Sequence, residues 1–108
     1  MTMTILQFTD INESTGDPIF PAQVRAVTQA LSNTYYKLST SLPIRAVLIY
    51  NDSDSTGIHV RVATAASGQD ADQSDPYIGP DESGYFLIHR KQRAGSTDGI
   101  WVTAVADT

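Results

Sequence analysis

Glycine and proline constrain this chain more than any other feature. All seven glycines (Gly16, Gly57, Gly68, Gly79, Gly84, Gly95, Gly99) and the five prolines fall between segments with apolar periodicity. Both residue types disfavour the interiors of helices and strands, so they mark connections and cut the chain into short elements. Thr2 to Phe8 reads as a strand, with Met3 and Ile5 on one face and Leu6 and Phe8 on the other. After a loop through Asp10, Asn12, Glu13, Gly16 and Pro18, the spacing predicts a helix over about Pro21 to Leu38. Pro21 suits a first helical turn, and Val24, Val27, Leu31, Tyr35 and Leu38 recur at steps of three and four.

From Ile44 onward the period becomes two. Arg45 to Tyr50 and Ile58 to Ala63 read as hairpin partners across the polar loop Asn51 to Gly57. A long connection, about Ala65 to Gly84, leads to a strand Tyr85 to Arg90. The loop Arg93 to Gly99 then returns the chain into a closing strand, Ile100 to Val105. The expected fold is α+β: a single helix on a mostly antiparallel sheet, in the order β-α-β-β-β-β. At 108 residues the chain is expected to form one domain, 1–108, with a long acidic loop at about 65–84.

Composition narrows the function classes. The formal net charge is −5, and the only basic cluster is Arg90, Lys91 and Arg93. An acidic chain repels phosphate backbones, so no nucleic-acid partner is expected. The absence of cysteine excludes disulfides, thiolate metal sites and cysteine nucleophiles. No apolar run reaches the ~20 residues a membrane span needs, and Met1 to Phe8 lacks the basic flank of a signal peptide, so a cytoplasmic origin without membrane partners is expected. The charged share is only 18%, and Ser, Thr, Asn and Gln make up the difference. Such a surface desolvates more cheaply than a charged one, which suits a protein surrounded by other proteins.

Few residue patterns carry chemistry. Asp52-Ser53-Asp54-Ser55-Thr56-Gly57 matches the first half of a calcium loop, but Ala63 stands where the bidentate Glu would belong, so a solvated loop is expected. His59 and His89 would need further ligands to hold zinc, and a mostly exposed structural role is expected for both. There is no Gly-x-Ser-x-Gly elbow and no phosphate-cradling glycine loop. No catalytic residue, cofactor or metal is expected.

Two features point to contact with other proteins. The 68–84 stretch holds Asp70, Asp72, Asp75, Asp81 and Glu82, with Tyr77 and Ile78 as a less polar anchor between them. A loop of that length is usually mobile or functional, and an interaction arm is the favoured reading. The closing strand places Trp101, Thr103 and Val105 on one face and Ile100, Val102 and Ala104 on the other. A strand apolar on both sides is usually buried on both sides, and one helix can cover only one face. The surplus face suggests oligomerisation or docking.

The stretch Gly99-Ile100-Trp101-Val102-Thr103-Ala104-Val105 resembles the closing strands of small bacteriophage virion proteins, as does the cysteine-free, Ser/Thr-rich texture of the chain. The resemblance implies a homo-oligomeric structural protein that decorates a capsid or fills a tail joint and is assembled into a virion. Two other functions compete with it. One is a small module whose acidic arm occupies a basic site on a partner. The other is a small α+β hydrolase or isomerase.

Overall fold

The computed structural model describes residues 2–28, 34–38, 44–88 and 99–108, without the side chains of Thr2, Thr9, 20–28 and Thr34. Eight strands occupy them: β1 (Thr2–Ile11), β2 (Pro18–Thr28), β3 (Thr34–Lys37), β4 (Ala46–Asn51), β5 (Ile58–Ala65), β6 (Tyr77–Ile78), β7 (Ser83–Leu87) and β8 (Gly99–Ala106). They form two antiparallel four-stranded sheets, in the orders β2-β1-β4-β7 and β3-β8-β5-β6. The described fold is all-β.

The α+β expectation is therefore overturned, and it fails at one segment. Pro21 to Leu38 is not helical where described: β2 runs antiparallel to β1 from Thr2↔Thr28 to Ile11↔Pro18, and β3 pairs with β8. The apolar steps of three and four were real, but Phe20, Ala22, Val24 and Ala26 also alternate, and both periods fit a short segment. The neighbours decide between them. Val24, Val27, Thr28, Tyr35 and Tyr36 are β-branched or aromatic, types that fit a pleated surface better than a helix. Pro18 and Pro21 are tolerated because β2 is an edge strand, where a missing N–H breaks no ladder on the open side. The register shift in the β1–β2 ladder falls between Phe8 and Asp10, opposite the stretch that contains Pro21.

Two expected hairpins are also absent. β4 pairs with β1 and β7, whereas β5 pairs with β8 and β6, so the 52–57 loop carries the chain from one sheet to the other. Likewise β7 and β8 belong to different sheets. Alternation shows that a strand has one apolar face but not whether its neighbour in sequence lies beside it or across the core. Here they lie across. Met3, Ile5, Val47 and Ile49 of the first sheet meet Ile58, Val60, Ile78, Ile100, Val102 and Ala104 of the second in one buried cluster. The layers thus form a sandwich with a shared apolar interior.

A tight turn at Asn12 to Asp17 closes the β1–β2 hairpin. The Asn12 side-chain oxygen accepts from the N–H groups of Ser14 (2.9 Å) and Thr15 (3.3 Å), and Gly16 takes the left-handed backbone (φ 79°) that a side chain would oppose. The tip folds over β7, where the Tyr85 hydroxyl donates to the Gly16 carbonyl at 2.6 Å.

Candidate functional site: two sheet faces and the acidic arm

Each sheet has an outer face, and the two are finished differently. On the β3-β8-β5-β6 sheet the outer face carries Tyr35 and Lys37 of β3, Trp101, Thr103 and Val105 of β8, His59 and Arg61 of β5, and Tyr77 of β6, as the register requires. This is the face that the Trp101 pattern marked as surplus. The acidic arm lies back across it. Ala71 is buried, Thr103 is fully buried, and the Tyr35 ring lies against Gly68. Trp101 stays half-buried and donates its indole N–H to the Ala65 carbonyl at 3.0 Å, with the Lys37 ammonium 5.8 Å above its ring.

The arm is fastened along its length. The Tyr35 hydroxyl donates to the Asp70 carboxylate, which raises the pKa of Tyr35 through that hydrogen bond first and desolvation second. Asp72 accepts from the N–H and hydroxyl of Ser74, bonds that hold its carboxyl below the usual carboxylate range. Asp75 accepts the Asp72 N–H at 2.9 Å. Val60 donates its N–H to the Pro76 carbonyl at 2.9 Å, and Gln73 clasps Ala106 at the end of β8 and Thr108 beyond it. Tyr77 and Ile78 act as an anchor in different ways. Ile78 enters the core, while Tyr77 is 54% exposed and lies over Gly57, where any β-carbon would collide with its ring. Past β6, Asp81 takes φ 55° and accepts from the Tyr50 hydroxyl at 3.4 Å, and the Glu82 carbonyl accepts the Asn51 N–H at 2.9 Å.

Sequence reasoning passed over Asn51 and undervalued His59. Asn51 is fully buried at the crossing between sheets. Its amide donates to the carbonyls of Thr56 (2.9 Å), Gly79 (3.1 Å) and Ile78 (3.4 Å), and its oxygen accepts the Ser53 N–H at 3.0 Å. It fixes the 52–57 loop to the arm. Within that loop the Ser53 hydroxyl accepts from Ser55 and Thr56, and the Asp52 carboxylate accepts from Thr4 (3.1 Å). Among the described residues no three His, Asp or Glu side chains converge as metal ligands would. His59, expected to be exposed, is buried, with each ring nitrogen against an acceptor. Both ring nitrogens are thus engaged within the fold. His89, the Arg90–Lys91–Arg93 cluster and the 93–98 part of the last loop lie outside the described residues.

A cleft of about 240 Å³ opens between the sheets, lined by Val62, Ala63, Thr64, Leu87, Ile88 and Ile100, none of them titratable. The outer face of the β2-β1-β4-β7 sheet is different again. Thr4, Leu6 and Phe8 of β1, Ala46, Leu48 and Tyr50 of β4, and Tyr85 and Leu87 of β7 share it through the pairings Leu6↔Leu48 and Leu48↔Tyr85. Phe8 is buried under an edge contact from Tyr85 at 6.4 Å. Tyr50, Tyr85 and Leu87 remain 36%, 38% and 42% exposed. Acids stand at both ends of this strip. Asp52 bonds Thr4 and Asp81 bonds Tyr50 at one end, while Asp17 acts on Tyr85 and Glu13 pairs with Arg45 (2.7 Å) at the other. No family model, curated protein or solved structure matches the chain.

Proposed function

We propose that the protein is a non-enzymatic assembly component that works by protein–protein contact, in the setting of a virion as a capsid-decoration or tail-accessory protein. One observation carries the reading. The strip Leu6, Leu48, Tyr50, Tyr85 and Leu87 is apolar, lies on a twisted but otherwise plain sheet face, and keeps three large side chains in water. Aromatic and aliphatic residues inside a polar rim are the usual anatomy of a contact surface. The strip lies on the sheet opposite the arm and Trp101, the candidates read from sequence, and is taken as the contact surface in this reading.

The charges choose the partner. Glu13, Asp17, Asp52 and Asp81 border the strip at both ends, and Arg45 is matched by Glu13. Among the described residues, a second copy on this face would set the unpaired acids Asp17, Asp52 and Asp81 against one another in a two-fold arrangement. The face therefore suits a different protein, a capsid or tail subunit that presents an apolar patch rimmed by Lys and Arg.

Site-specific photo-crosslinking tests this. A benzophenone side chain at position 87 is expected to crosslink, in the cells that make the protein, to an apolar segment flanked by basic residues. The same probe at position 61, on the other sheet, is expected to give no such product. Replacing Asp17, Asp52 and Asp81 with Lys should abolish the crosslink. Crosslinks only between copies of this chain, or equal crosslinking from position 61, would overturn the assignment.

A further inference from the structure

His59 stands on the outer face of β5, and its ring joins two segments that are remote in sequence. Nδ1 lies 2.8 Å from the main-chain oxygen of Asp75 in the arm, and Nε2 lies 2.8 Å from Oδ1 of Asp107 beyond β8. A carbonyl and a carboxylate only accept hydrogen bonds. Each contact needs an N–H on the ring, and both N–H groups exist together only in the imidazolium.

The surroundings favour that charge. Asp107 faces the ring from the C-terminal segment, and Asp75 and Asp72 stand on the arm. Arg61 lies two residues along β5, the Tyr77 ring of β6 is 5.3 Å away, and β8 places uncharged Val105 opposite. The hydrogen bond to Asp107 is the largest influence raising the His59 pKa, followed by that to the Asp75 carbonyl, against the smaller opposing effect of desolvation.

We infer that His59 is a proton-operated bolt holding both the arm and the C-terminal segment against β5, and that loss of its proton frees the C-terminal segment first. Neutral imidazole keeps one N–H and turns a lone pair toward the other acceptor. The Asp75 carbonyl is held in place by its neighbours, through Val60 N–H to Pro76 O (2.9 Å) and Asp75 N–H to Asp72 O (3.1 Å). The Asp107 side chain is 47% exposed and can turn into water. The remaining proton therefore stays on Nδ1, and Nε2 loses Asp107. Because the folded pKa is raised, the bolt is fully closed below the ordinary histidine value of about 6.5 and opens as pH rises through the folded value.

The test is made in the intact chain carrying His89→Gln, which leaves His59 as its one histidine. Imidazole ¹⁵N shifts should show both nitrogens protonated at pH 5.5 and the Nδ1–H tautomer above the transition. The amide protection factor of Asp107, whose N–H donates to the Gly57 carbonyl at 2.9 Å, should fall through the same pH range. Protection of Val60, bonded to the arm at Pro76, should hold. Asp107→Asn should lower the His59 pKa and remove the pH dependence of the tail. A ring that is neutral at pH 5.5 would overturn the proposal. So would Asp107 protection that follows pH in the same way in Asp107→Asn.

Discussion

Asn51 shows how much of this fold hangs on single polar side chains at the sheet crossing. Replacing its carboxamide with the apolar side chain of Leu leaves the Thr56 carbonyl and the Ser53 N–H without their Asn51 partner and takes one of two donors from the Gly79 carbonyl, which keeps the Glu82 N–H. Asn51→Leu is expected to destabilise by about 2–4 kcal/mol, read as a lower urea midpoint at unchanged slope. Thr103 is the opposite case. Its hydroxyl is fully buried and has no hydrogen-bond partner among the described residues. Thr103→Val keeps the β-branched shape and removes the stranded oxygen, so it should stabilise by about 1 kcal/mol and raise Tm. At this scale the sequence was legible for apolar residues and poor for polar ones. The alternation of Ile58, Val60 and Val62 already placed the core, whereas nothing in the string Tyr50-Asn51-Asp52 separates a buried keystone from an ordinary loop amide. His59 was misjudged for the same reason, since its burial depends on an arm and a tail that only the fold brings to it.

The arm is the element whose behaviour departs most from its composition. Five acids in about twenty residues suggest a solvated excursion, yet four of those carboxylates, on Asp70, Asp72, Asp75 and Asp81, accept internal bonds from Tyr35, Ser74, the Asp72 N–H and Tyr50. Two of its ties titrate in opposite senses. The depressed pKa of Asp72 contributes stability that is present above the ordinary carboxylate range and lost as pH falls through the folded value. The raised pKa of His59 contributes stability that is lost as pH rises through its own folded value. Hydrogen-exchange protection of the arm from Asp72 to Ile78 is therefore expected to fall on the acid side, and that of Asp107 to fall on the alkaline side. An arm whose protection does not change at low pH, or an Asp107 amide whose protection rises steadily with pH, would contradict this. The long connection was readable from sequence, and so were the approximate positions of β1, β4, β5, β7 and β8. Which strands pair was not, because β4 and β5 carry the same alternation whether they lie side by side or across a core. The helix expected at Pro21 to Leu38 failed on the same ambiguity of period, resolved by an edge position that admits proline.

For the molecule as a whole, two sheets share one interior, and the chain lays its own arm along part of one of the two outer faces. The interior should behave as a single packed unit. Ile49→Ala, at a fully buried site in it, is expected to cost about 2–5 kcal/mol and to loosen both sheets together. By contrast Leu87→Glu, on the outer face of the other sheet, should change stability by less than about 1 kcal/mol while disrupting the proposed contact surface. The acidic, cysteine-free composition led to the expectation of a protein that acts by contact, and the apolar strip adds a candidate face that no single segment of the sequence displays. The most direct test is hydroxyl-radical footprinting of the free protein and of the same protein in its native assembly. Tyr50, Tyr85 and Leu87 should be readily labelled when free and protected in the assembly, with Tyr35, Tyr77 and Trp101 unchanged. Protection at Tyr35, Tyr77 and Trp101, with Tyr85 and Leu87 still labelled, would contradict the account.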